Sequence, residues 1–275
     1  MWRSAVAGTM VLALAGCGRD AVPPAGHATA GEAPATSAAS ATATPEAVAM
    51  TDVIERDPRY LVGISYPPEA ARYPGLARLL KDYAEAARGD LMHAVKGLGD
   101  DKPTAPYDLS LAFTMLASTP RIVTVAADGS SYTGGAHGNP LLARFTWLPA
   151  EREQLTAAKL VPDPAGWQVV SEYVREQLAS DLSQRVDGAG PAAGERARLM
   201  EGGLQMIDQG TTPEAANFDQ FEPVLDATGR IVALRFVFPP YQVGPYSDGA
   251  QSVEVPARVL LPVVAAGYRP LFRDS

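Results

Sequence analysis

The sequence predicts an α+β fold: a mainly antiparallel sheet packed with several helices, in two sequential subdomains. Three observations lead there. Strand-like segments follow one another closely: Tyr107–Ser118, where apolar residues alternate with small or polar ones, and the runs 122–126, 141–147 and Ile231–Phe238. Two long stretches, 76–98 and 170–186, instead carry apolar residues at three- and four-residue spacing. Strands and helices alternate irregularly, with hairpin-like connections and no repeat of fixed period, which argues against a parallel βαβ array.

The organisation begins with an address. Residues 1–16 hold one charged side chain, Arg3, followed by an apolar run from Ala5 to Ala15. That run is too short to span a bilayer and has the form of a signal-peptide apolar region. Leu14-Ala15-Gly16-Cys17 follows, containing the chain's one cysteine, which excludes an intramolecular disulfide and any Cys-based metal cluster. These four residues resemble the bacterial lipobox, which implies a mature chain lipidated on Cys17 and held at the membrane by acyl chains. Gly18 stands where an aspartate would signal inner-membrane retention, so the expected place is the outer membrane, facing the periplasm.

Residues 17–55 read as a tether. Ala, Thr, Ser, Pro and Gly dominate 21–50, without aromatic residues or apolar periodicity, and such a segment cannot bury enough surface to offset its ordering entropy. About 35 flexible residues would reach roughly 30–35 Å from the anchor. The formal charge of −8 opposes binding to nucleic acid and favours a basic partner.

In the first expected subdomain, 56–150, residues 59–66 form a strand halted by Pro67-Pro68. A helix over 76–98 follows, with Gly89 a possible break and His93 near its apolar stripe. The strands Tyr107–Ser118, 122–126 and 141–147 come next. The hairpin between the last two turns either at Asp128-Gly129, a tight-turn signal, or at Gly134-Gly135 with Ser130-Ser131 as a bulge. In the second, 151–275, a short helix over 155–161 precedes one that starts at Asp163-Pro164. A weaker helix over 195–207, strands over 218–225, Ile231–Phe238 and 252–255, and a short helix over 258–266 complete it.

Two motifs carry a resemblance. Tyr132-Thr133-Gly134-Gly135-Ala136-His137-Gly138-Asn139 is similar to the signature of the non-catalytic domain at the N-terminus of peptidoglycan deacetylases of the PdaC type. Residues 236–249 and 253–256, with Tyr241, Tyr246 and Asp248, resemble the companion domain found with it in lysozyme-sensing anti-sigma factors. The resemblance covers about residues 55–268 and implies an extracytoplasmic module that binds a lysozyme-like protein. The catalytic domain of the deacetylases, and the transmembrane and cytoplasmic parts of the anti-sigma factors, have no counterpart in this sequence.

No G-x-S-x-G, H-E-x-x-H or His pair is present, so no catalytic constellation, metal site or cofactor is expected. The expected binding residues are Tyr132, Gly134, Gly135, His137, Asn139, Tyr241, Tyr246 and Asp248. For His137 two roles stay open: contact with a ligand across a loop whose glycines admit close approach, or tying that loop to the domain while Gly134, Gly135 and Gly138 take positive φ. Tyr241 and Tyr246 either anchor an interface or cap the sheet. The function expected is a non-enzymatic lipoprotein that binds a lysozyme-like protein or peptidoglycan. The alternatives are a hydrolase of cell-wall glycan or peptide using His137 with a carboxylate such as Asp128, and a structural role in envelope maintenance. If Cys17 carries the anchor, Cys17→Ser should abolish palmitate labelling and move the protein from the membrane to the soluble fraction; unchanged labelling would remove the anchor from this reading.

Overall fold

Residues 48–273 are described by a computed structural model. The signal peptide, Cys17, the tether through residue 47 and His27 lie outside the described residues. The six-stranded sheet has the order β1-β2-β3-β4-β5-β6, and a three-stranded sheet has the order β7-β8-β9. Among the described residues five α-helices accompany them, and the fold is α+β.

β1 (Val53–Asp57) and β2 (Tyr60–Ser65) form a hairpin. Assigning residues up to 55 to the tether therefore needs correction. Val53 packs on the core and Glu55 takes both guanidinium contacts of Arg88, at 2.7 and 2.9 Å. Long-range pairing supplies order that the local composition does not advertise. β2 alternates, with Val62 and Ile64 buried and Leu61 and Gly63 exposed. α1 (Pro74–Gly97) then crosses over, so that β2 meets β3 (Tyr107–Ser118) in parallel, while every other adjacent pair in both sheets is antiparallel. The helix runs through Gly89 without a break. Leu76, Leu80, Ala84, Leu91 and Val95 lie buried against the sheet, where Leu109, Leu111, Phe113, Phe145 and Trp147 meet them. Tertiary burial outweighs the roughly 1 kcal/mol a mid-helix glycine costs. His93 is exposed.

β4 (Val123–Tyr132) and β5 (Asn139–Leu148) are each ten residues long and pair in continuous register from Val123↔Trp147 to Ser131↔Asn139. Asp128-Gly129 is thus mid-strand and makes no turn, and Ser130-Ser131 forms no bulge between these strands; the hairpin turns at Gly134-Gly135. The Asp-Gly signal has another cause. A Cβ on Gly129 would stand 2.0 Å from the Ser110 carbonyl oxygen of β3, so glycine answers a close approach of backbones. Asp128, one step earlier, accepts from Arg144 at 3.0 Å. The one register shift against β3 falls between Met115 and Ala117.

β6 (Glu153–Gln154) pairs with the end of β5, and α2 (Ala157–Leu160) follows. α3 (Pro164–Ala189) starts as its sequence indicates: Pro164 is first, the Asp163 carboxylate accepts from the Ala165 N–H at 3.0 Å, and Gly190 closes the helix at φ +63°. α4 (Ala193–Gly210) extends beyond the expected 195–207. The strand expected over 218–225 is shorter. A 3-10 turn, Ala215–Phe218, buries the Phe218 ring against Trp167 before β7 (Phe221–Leu225) begins. β8 (Ile231–Phe238), β9 (Gln251–Pro256) and α5 (Ala257–Leu260) complete the region; α5 is one turn rather than a helix over 258–266, and the chain continues in hydrogen-bonded turns.

The second core gathers Trp167, Val170, Leu178, Phe236, Phe238 and Val255, and it also takes Ile122 and Leu148 from beside the first sheet. The junction is polar as well. Arg144, its side chain 7% exposed, reaches from β5 to Glu222 of β7 at 2.5 Å, and its own N–H donates to Gln220 Oε1 at 2.7 Å. Glu222 also accepts from Arg235, which in turn meets Glu254; that last contact is the main cause holding the Arg235 guanidinium above its ordinary range. Removing one member of a nearly buried pair leaves the other charge desolvated. Glu222→Ala is therefore expected to lower unfolding stability by about 3 kcal/mol in chemical denaturation, more than Glu254→Ala on the exposed end of the chain of ions; equal effects would contradict a structural role for the junction.

Candidate functional site

Two loops meet at one end of this junction. The first joins β4 to β5 through residues 133–138. Gly134 and Gly135 sit at φ +96° and +105°, values that exclude a side chain at low cost. Gly138 does not take positive φ, contrary to the expectation for all three glycines; it contributes its carbonyl. The Tyr132 hydroxyl donates to the Gly135 carbonyl at 3.3 Å and steadies the turn.

The second loop follows β8. Pro239 and Pro240 end the strand, and Tyr241 adopts φ +74°, one of two non-glycine residues with positive φ among those described. Its neighbours hold it there. The Tyr241 N–H bonds the Gly244 carbonyl at 3.0 Å, Gln242 Nε2 donates to the carbonyls of Gly210 and Asn217 at 2.9 and 3.0 Å, and Val243 is buried. A 3-10 turn, Tyr246–Asp248, leads towards β9.

Side chains join the loops across 104 residues of sequence: the Tyr241 hydroxyl lies 3.1 Å from His137 Nε2. The Tyr246 ring stacks on the His137 ring at 4.1 Å between centroids and 19° between planes, and its hydroxyl donates to the Gly138 carbonyl at 3.3 Å. His137 Nδ1 is 3.0 Å from that same carbonyl. A carbonyl only accepts, so Nδ1 carries the proton; in the neutral ring Nε2 then accepts from Tyr241. Tyr241 and Tyr246 complete the triangle, 5.6 Å apart. The result is a platform of three rings that stays open to solvent, with Tyr241 55% exposed and Tyr246 36%.

The structure thus brings Tyr132, Gly134, Gly135, His137, Tyr241 and Tyr246 together. Asn139 is exposed at the start of β5, outside the ring contacts. Asp248 points the other way, with Oδ2 3.6 Å from Arg185 on α3. There it borders a cavity of about 430 Å³ whose walls include Leu182, Val186, Leu199 and Met206 of α3 and α4. Neither that cavity nor the Arg144 junction was anticipated. A Cβ on Gly203 of α4 would stand 2.6 Å from Leu182, so glycine there permits the helices' close approach. Both His137 nitrogens face a carbonyl or a phenol, and the Asp128 carboxylate is taken by Arg144. Among the described residues no group of three or more His, Cys, Asp or Glu side chains could hold a metal ion, and no helix is long and apolar enough to cross a membrane.

An α+β scaffold presenting an aromatic platform between its two sheets is the class that fold and site define. Residues 160–258, from the end of α2 into α5, match a family model described as a protein of unknown function, DUF3298. Among solved structures, a DUF3298 family protein from Pseudomonas aeruginosa PAO1 is similar at 15% identity and a TM-score of 0.50, over 82% of this chain and 94% of that one. A member of the same family from Bacteroides fragilis NCTC 9343 is similar at 16% identity and a TM-score of 0.48, over 79% and 93%. No curated protein matches the chain significantly. The matched stretch contains Tyr241, Tyr246 and Asp248 but not the loop of His137.

Positive φ at a non-glycine residue costs on the order of 1–3 kcal/mol. Tyr241→Gly should therefore be about 1 kcal/mol more stable than Tyr241→Ala in denaturant titration, since both lose the ring and only one keeps the strain. An alanine variant as stable as the glycine variant would show that the loop has relaxed.

Proposed function

We propose that this chain is a non-enzymatic, lipid-anchored envelope protein that binds a partner through the His137–Tyr241–Tyr246 platform. The observation carrying this reading is the convergence of two distant loops into an exposed, hydrogen-bonded aromatic surface. Tyrosines held by neighbours lose little entropy on binding and serve well as interface anchors. A strained Tyr241 held by Gln242 is preorganised for contact more than for packing. The resemblance of both loops to the extracytoplasmic domains of lysozyme-sensing anti-sigma factors and to the non-catalytic domain of peptidoglycan deacetylases supports the same reading. So does the net charge of −8, which favours a basic protein of the lysozyme type.

Peptidoglycan is the other partner of matching chemistry, because flat rings at a surface stack against sugar faces. The lipobox-like residues at 14–17 and Gly18 support a site on the periplasmic side of the outer membrane. Full-length protein in nonionic micelles, titrated calorimetrically with a basic lysozyme, should bind with an affinity that falls as salt rises. Tyr241→Ala with Tyr246→Ala should weaken that binding at least tenfold. Protein that ignores both lysozyme and purified sacculi would end the proposal. Turnover of cell-wall material that His137→Ala abolishes would replace it with the hydrolase reading.

A further inference from the structure

A second site lies where the first turn of α1 meets the β5–β6 connection. A cavity of about 420 Å³ is lined there by Arg72, Arg78 and Arg152, with Tyr73 and Trp147 among its walls. The three arginines come from different places: the 3-10 turn before α1 (Pro68–Arg72), the second turn of α1, and the turn preceding β6, where Arg152 takes φ +55°. None of their side chains makes an ion pair or hydrogen bond with another described residue. In this acidic chain Arg59, Arg88, Arg144, Arg175, Arg185, Arg196 and Arg235 have carboxylate partners, whereas these three unpaired arginines share one cavity. Glu69 and Asp82, near Arg72 and Arg78 in sequence, lie in no ion pair with them, and the acids beside Arg152 have other partners. Glu153 accepts from Lys159 at 2.7 Å and from Tyr268 at 2.9 Å, and Glu151 acts on Tyr268.

We propose that this cavity binds a phosphate ester. Three arginines without counter-ions on the walls of one cavity, all of them exposed, suit an anion carrying more than one acceptor oxygen, because the guanidinium fork donates two parallel hydrogen bonds. A single carboxylate would leave part of that charge unmatched. The cavity exceeds a bare phosphate ion, and its ring-lined wall suits the carbon side of an ester. Glycine at position 75 brings that wall in: a Cβ there would stand 2.2 Å from the Trp147 ring, so the indole lies against the first turn of α1. The helix end adds the same sign of charge, with no acidic side chain in its first turn and no side-chain cap. The proposal stands on the arginines and the cavity, and it is independent of the aromatic platform.

The ester could belong to a soluble metabolite or to a lipid headgroup, and one experiment separates them. Full-length protein in nonionic micelles is titrated with inorganic phosphate, with tryptophan fluorescence as the readout. Saturable binding is expected, at least tenfold weaker in Arg72→Gln with Arg78→Gln and unchanged in Arg258→Gln, an exposed arginine outside the cavity. Repeating the titration with phosphatidylglycerol in the micelles distinguishes the sources. If the headgroup occupies the site, phosphate affinity falls and phosphatidylcholine has no such effect; if the ligand is soluble, the isotherm stays where it was. Either result supports the site. Saturable binding by neither phosphate nor phosphatidylglycerol micelles, or equal binding by the double variant with an unchanged thermal melt, overturns it.

Discussion

The contact between Arg144 and Glu222 is the constraint on which the rest depends. β5 is paired along its full length with β4, but β6 covers only the last two residues of its other edge. An edge left bare invites further pairing. Here Gln220 and the Leu155 N–H take up that edge, the last by bonding the Thr146 carbonyl at 2.9 Å, while Glu222 holds the Arg144 side chain beside it. The ion pair fixes where β7 meets β5, β7 carries β8, and β8 delivers Pro239 to Tyr241. The platform therefore inherits its geometry from a salt bridge buried at the seam between the sheets.

Around that seam the two loops divide the work differently. The β4–β5 loop gains its shape locally, from two glycines at positive φ and a tyrosine that bonds across the turn. The Tyr241 loop is held from outside, by Gln242 against the end of α4 and by buried Val243. A Cβ on Gly210 would stand 1.9 Å from the Gln242 carbonyl oxygen, so the packing there leaves little slack. Rings projected from two such supports lose little further freedom when they bind, which is the physical advantage of preorganisation.

Much of the scaffold was legible because its strands and helices bury one face each. Leu109, Leu111 and Phe113 alternate in sequence and in burial, and the α1 stripe is the set of residues that packs on them. β1 escaped because its order comes from Arg88 and from pairing with β2, and neither leaves a local pattern. Asp128-Gly129 left the position of the turn open because the same dipeptide that makes a tight turn also satisfies a close strand contact. At the site, each loop could be singled out by its glycines, prolines and tyrosines, but their meeting could not. A hydrogen bond between residues 137 and 241 needs the two sheets brought side by side, where Arg144 of β5 meets Glu222 of β7, and no local pattern around Arg144 announces that contact.

The stretch that matches a family model, 160–258, supplies two rings of the platform, and the loop outside it supplies the third. Such a surface cannot be inherited piecemeal. Recombination that moved either half into another protein would leave Arg144 or Glu222 without its partner, and an unstacked histidine or two tyrosines without their base. Selection on this surface would act on the pair as one unit, so that a change in either loop is answered in the other.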